Sequence, residues 1–72
     1  MIDKAEVWGL YARTMNNCKF YEKENKPLKL LNEIGVLRGI AYCLETCGEF
    51  TPCDKDFQHF IEIQEELKKA EN

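Results

Sequence analysis

Four cysteines are the residues of this chain best suited to chemistry, because a thiolate can bind zinc or act as a nucleophile. Cys43, Cys47 and Cys53 are close in sequence, so their three sulfurs can approach one another, whereas Cys18 lies far from them. His59 is the only histidine that could complete such a site, but it follows Cys53 by six residues and turns to another side of a helix. The chain also lacks a Cys-x-x-Cys pair. We therefore expect buried thiols without a metal or other cofactor; a zinc-stabilised helical domain and disulfide bonds are the alternatives.

Catalysis would require a cysteine beside a histidine, or paired carboxylates in a cleft. Helical periodicity places His59 on the solvent side of its helix. The sequence has no glycine-rich phosphate loop and no nucleophile elbow, and a chain of 72 residues offers little room for a pocket. We therefore expect no enzymatic activity.

Lysines and aromatic residues alternate around residues 18–27. A ring beside an ammonium group can hold an anion, including a nucleotide, by stacking and by charge. Under this hypothesis the ligand-binding residues are Tyr11, Tyr21, Lys26 and Lys29. A solvated loop of alternating charge explains the same pattern, because glutamates are interspersed among the lysines.

Gly35 and Gly39 are one helical turn apart in the second predicted helix. A glycine inside a helix costs about 0.5–1 kcal/mol relative to alanine, so two in register indicate that another backbone approaches closely. That backbone belongs either to the same chain or to a second copy. For the second case the predicted interface residues are Ile34, Gly35, Arg38, Gly39 and Tyr42.

Apolar residues recur with a period near 3.6 in three segments, which predicts helices at about residues 2–17, 27–46 and 52–69. The expected N-caps are Asp3, Asn25 and Thr51, the expected prolines at first helical positions are Pro27 and Pro52, and the expected helix ends are at Asn16-Asn17 and Gly48. Short connections favour antiparallel neighbours. We predict an all-α fold in one domain, residues 1–72: a compact three-helix bundle made of a helical hairpin and a third packed helix.

The second helix is apolar over more than half of its circumference, so one neighbouring helix cannot cover it. Either the first and third helices enclose it, or another chain covers one side. We expect the bundle to be oligomeric through this helix.

The charges are unevenly distributed along a chain of net charge −3. Residues 1–38 carry seven Lys/Arg and five Asp/Glu, and residues 39–72 carry three and eight, which predicts a basic end and an acidic end. A net acidic chain without arginine clusters is not expected to bind nucleic acid. The sequence shows neither a signal peptide nor a membrane span, so we expect a cytoplasmic protein.

Together these features favour a small non-enzymatic interaction protein, an adaptor or inhibitor, that works as a homo-oligomer and binds another protein. Small helical chains of this kind are common among phage and mobile-element accessory proteins. The alternatives are a protein that sequesters a small anionic ligand or nucleotide, and a zinc-stabilised helical domain.

Overall fold

Three helices account for nearly all of the chain that the structure describes. The structure is a computed structural model that describes residues 3–48 and 54–70. Its elements are α1 (Lys4–Lys23), α2 (Pro27–Thr46) and α3 (Lys55–Ala70), and neither described range contains a strand. The all-α prediction is confirmed, and α2 has the bounds predicted for it.

The first helix is longer than predicted. Asp3 caps it as expected, since its side chain accepts a hydrogen bond from the Ala5 backbone N–H at 3.0 Å. The prediction that Asn16-Asn17 end the helix is wrong, because α1 continues to Lys23. Cys18 is fully buried just beyond the asparagines, so core packing outweighs their weak helix propensity.

An asparagine does end α1, but it is Asn25. Its φ of 56° lies in the left-handed region. The Asn25 N–H donates to the Glu22 carbonyl at 3.1 Å and the Lys26 N–H donates to the Tyr21 carbonyl at 3.0 Å, the two bonds of a Schellman motif. Asn25 therefore terminates α1 rather than capping α2, which corrects the prediction. Lys26 occupies the N-cap position of α2 without a side-chain hydrogen bond.

The ends of α2 agree with the prediction, whereas α3 begins at Lys55, three residues later than predicted, with Asp54 outside the helix. Pro27 begins α2, and Gly48 follows its C-cap with φ 76°. Thr51 and Pro52 lie outside the described residues. α3 begins at Lys55, where the Asp54 side chain accepts a hydrogen bond from the Asp56 N–H at 3.0 Å, as an N-cap residue does.

α1 and α2 form an antiparallel hairpin, and α3 packs more extensively on α2 than on α1. Successive polar contacts show that α3 runs parallel to α1: Asp54 meets Tyr11, and His59 meets Glu22. α3 is therefore antiparallel to α2. The order is up, down, up.

One core holds the three helices together. Its fully buried members are Cys18 of α1, Ile34 and Leu37 of α2, and Phe60 of α3. The remaining buried apolar residues are Tyr11, Met15, Leu30, Ala41 and Leu44. α2 contributes five of these nine residues, because it packs more extensively on each of the other two helices than they pack on each other.

Candidate interaction surface

The four residues predicted to bind an anion do not form one site. Tyr11 is buried, and its hydroxyl donates a hydrogen bond to Asp54 Oδ2 at 3.0 Å. Burial raises the pKa of Tyr11 well above its usual value, and the hydrogen bond and negative charge of Asp54 raise it further. Ten residues separate Tyr11 from Tyr21, which places them about 15 Å apart along α1. Tyr11 therefore joins two helices of the core, away from the predicted site.

Tyr21 and Lys26 do share a cleft at the end of the bundle. It is bordered by Pro27 and Leu30 of α2 and by two half-buried residues of α3, Ile63 and Leu67. Its volume of about 210 Å³ is smaller than the roughly 300–1,000 Å³ of typical ligand pockets. Tyr21 also borders a separate, shallower depression of about 340 Å³, which includes Lys29. A further depression is bordered by both Lys26 and Lys29. Tyr21, Lys26 and Lys29 therefore lie around one end of the bundle, and of the four predicted residues only Tyr11 lies elsewhere.

The cysteines differ in exposure. Cys18 is buried, and burial together with the nearby carboxylates of Glu33 and Glu22 raises its pKa to about 11. Such a thiol is protonated at neutral pH and is a poor nucleophile. Cys43 and Cys47 are exposed, so the expectation of buried thiols is correct for Cys18 and wrong for these two.

Cys53, the third candidate metal ligand, lies outside the described residues. Within the described ranges no group of three His, Cys, Asp or Glu residues is arranged to hold a metal ion. His59 is exposed, as predicted, and its Nε2 lies 2.7 Å from Glu22 Oε2.

The predicted separation of a basic and an acidic end is wrong in space. Lys19 Nζ lies 3.0 Å from Asp56 Oδ2, so a lysine of the basic half pairs with a carboxylate of the acidic half. The Glu22–His59 contact likewise joins α1 to α3. Because α3 lies beside α1, its carboxylates are brought to the lysines within one chain.

Of the five residues predicted to form an interface, one is buried and four are exposed. Ile34 has no exposed surface and belongs to the core of its own chain, so it must be removed from the predicted interface. Gly35, Gly39 and Tyr42 are exposed on the side of α2 that faces away from the core. Arg38 is exposed at the edge of that side, and its Nη1 donates a hydrogen bond to Gln64 Oε1 at 2.7 Å.

Sequence reasoning missed the role of Gln64. It is buried, with only 5% of its surface exposed, and it connects α3 to Arg38 of α2. A signal was present, because Gln64 follows Phe57 by seven residues and Phe60 by four, which places it on the apolar stripe of α3.

The side of α2 opposite the core forms a continuous uncharged surface, which we call the open face. Its exposed residues lie within about one third of the helix circumference. They are Leu28, Asn32, Gly35, Val36, Gly39, Tyr42, Cys43 and Thr46. Three of them are large apolar side chains that are exposed to 75% (Leu28), 46% (Val36) and 71% (Tyr42).

Both glycines of the open face, Gly35 and Gly39, border space that no described residue occupies. A Cβ atom built on Gly35 or on Gly39 would meet no atom of residues 3–48 and 54–70 within 4 Å, apart from the adjacent backbone of α2 itself. Close packing against another described part of the same chain, the first of the two explanations for these glycines, is therefore wrong. Charged residues begin only at the borders of the face, with Lys29 and Glu33 on one side and Arg38 and Glu45 on the other.

Within residues 3–48 and 54–70, none of the three helices combines the length and the apolar composition needed to cross a bilayer. Comparison of the chain with protein-family models, with curated proteins and with solved structures found no match.

Proposed function

We propose that this protein is a small non-enzymatic interaction protein that self-associates through the open face of α2 and acts on other proteins as that assembly. The observation that carries the proposal is the exposure of large apolar side chains and two open glycines on one uncharged helix face. Isolated exposed apolar residues are ordinary, but several on one uncharged helix face that is bordered by charges are typical of a protein-binding surface.

The glycines support the proposal energetically. Each costs α2 about 0.5–1 kcal/mol relative to alanine, and no other described part of the chain packs against either glycine to offset this cost. A helix of a second molecule can approach more closely at a position without a side chain. Two such positions one turn apart suit a helix-helix contact.

The side-chain chemistry favours binding over catalysis. The buried Cys18 has a raised pKa, and His59 pairs with a carboxylate instead of a nucleophile. Cys18, Cys43 and Cys47 are free thiols, which suits a reducing compartment. We place the protein in the cytoplasm on that basis.

Tyr42→Glu tests the proposal, because it puts a charge in the middle of the open face. We expect the wild type to gain mass in sedimentation velocity between about 1 and 100 µM, the range for a small helix-helix interface. Tyr42→Glu should remain monomeric over this range, because association would bury an unpaired carboxylate.

Phe20→Glu is the matched control. Phe20 is an aromatic residue of α1 that is 53% exposed and lies outside the open face, so this variant should associate like the wild type. Circular dichroism checks that both variants keep their helix content. A wild type that stays monomeric throughout, or equal loss of association in both variants, would contradict the proposal.

A further inference from the structure

The charges at the two ends of α2 indicate how two open faces would meet. Lys26 and Lys29 stand at the start of the helix, where no acidic residue occurs, and Glu45 stands in the last turn, where no basic residue occurs. A helix macrodipole is stabilised by negative charge near the N-terminus and by positive charge near the C-terminus, and α2 has the opposite arrangement. In a parallel pair of α2 helices, lysines would meet lysines and glutamates would meet glutamates. In an antiparallel pair, the lysines of one helix lie at the negative end of the other.

The shape of the open face agrees with the antiparallel arrangement. Gly35 and Tyr42 are seven residues apart on the same side of α2, which is about 10 Å along its axis. A twofold axis midway between them would set each Tyr42 opposite the partner's Gly35. The ring is 71% exposed, and the space above the glycine is unoccupied. Gly39 would lie next to the twofold axis, where the two backbones come closest.

We infer that the open face of α2 is covered by a second copy of this chain, docked antiparallel, with Tyr42 of each copy filling the space above Gly35 of the other. This inference rests on the proposed self-association and adds its orientation and register. A parallel pair would set the two tyrosines against each other and leave the spaces above both Gly35 residues unfilled.

Cross-linking in solution distinguishes the two orientations. Asn32 and Thr46 are exposed on the open face, about equally far before and after the expected twofold axis. In the antiparallel pair, Asn32 of one chain therefore lies opposite Thr46 of the other. In a parallel pair the two positions would be about 21 Å apart along the helices, which is too far for a disulfide.

The experiment uses the full chain with Cys43, Cys47 and Cys53 changed to serine, so that the buried Cys18 is the only native thiol. Asn32→Cys and Thr46→Cys are made separately in this background and oxidised mildly, alone and as an equimolar mixture. Non-reducing electrophoresis and intact mass report the products. Sedimentation and circular dichroism confirm that each variant folds and associates.

We expect the mixed disulfide to be the main product of the mixture, with little cross-linking in either variant alone. Disulfides in each variant alone, without a preference for the mixed product, would overturn the antiparallel arrangement and leave self-association intact. Absence of every disulfide in a protein that sediments as a dimer would overturn the assignment of the interface to this face. A monomeric wild type would instead refute the proposed function itself.

Discussion

At the scale of single residues, Tyr11 shows how an interaction between distant parts of the chain determines a side chain's role. Its phenol resembles a ligand-binding group when only its proximity to lysines in the sequence is considered. In the fold, the hydroxyl instead donates to Asp54, a residue 43 positions away at the start of α3. This bond joins the first and third helices and satisfies a polar group at the edge of the core.

The raised pKa of Tyr11 predicts a loss of stability in alkali. Because the folded-state pKa lies above the unfolded value of about 10, the neutral phenol is favoured by folding. This contribution is fully present below pH 10 and is lost as the pH rises toward the folded-state pKa. In urea unfolding at a series of pH values, the free energy of unfolding of Tyr11→Phe should fall less steeply above pH 10 than that of the wild type.

Tyr11→Phe should also be less stable than the wild type at neutral pH, by about 0.5–1.5 kcal/mol for the loss of one hydrogen bond. Tyr21→Phe is the control, because Tyr21 is another tyrosine of α1 and is only half-buried. Parallel alkaline curves for the wild type and Tyr11→Phe would show that this phenol does not couple folding to pH.

At the scale of helices, sequence signals predicted the ends of α2 better than those of α1. Pro27 and Gly48 impose backbone conformations that begin and end a helix, so local chemistry is sufficient there. The asparagines at positions 16 and 17 have only a weak preference, which the burial of Cys18 outweighs. Helix ends that are set by strong local constraints could be predicted from the sequence, whereas ends marked only by weak preferences depended on the tertiary packing.

The identity of the open face could not be predicted from α2 alone. Its apolar residues cover more than half of the helix, and the side that remains exposed depends on where α1 and α3 pack. The Arg38–Gln64 hydrogen bond, which connects residues 26 positions apart, places α3 along one border of the face. The glycine pair was recognised from sequence, but only the structure shows that no part of residues 3–48 and 54–70 covers it.

Glycine substitutions test this face at the level of the helix. Gly39→Leu should leave the helix content of the monomer unchanged, because the added side chain enters empty space. It should disrupt assembly, because overpacking at a close contact costs about 1–3 kcal/mol. Sedimentation velocity and circular dichroism measure the two effects.

Gly9→Leu provides the matched control, since Gly9 is an equally open glycine inside α1. It should stabilise the helix by about 0.5–1 kcal/mol and leave assembly unchanged, because it lies outside the open face. If Gly39→Leu assembles as tightly as Gly9→Leu, Gly39 does not contact a second chain.

At the scale of the whole molecule, the core is small. Nine apolar residues are buried among those that the structure describes, and a chain of this size buries only about 60% of the surface exposed on unfolding. Small domains usually gain stability from a disulfide, a metal or association. The three cysteines that the structure describes are free, and the described residues contain no arrangement suited to a metal. Association through α2 is the supplement that the exposed surface supports.

Thermal unfolding should therefore depend on protein concentration and not on metal. By mass action, a hundredfold rise in wild-type concentration should raise Tm by about 5 °C, because the folded dimer is favoured over unfolded monomers. Tyr42→Glu should unfold at a temperature independent of concentration.

Addition of EDTA should change the Tm of neither the wild type nor Tyr42→Glu, and elemental analysis should find zinc absent or substoichiometric. One zinc per chain with loss of helicity on chelation would show that a metal site supplies the missing stability instead, because a structural zinc contributes its binding energy directly to folding.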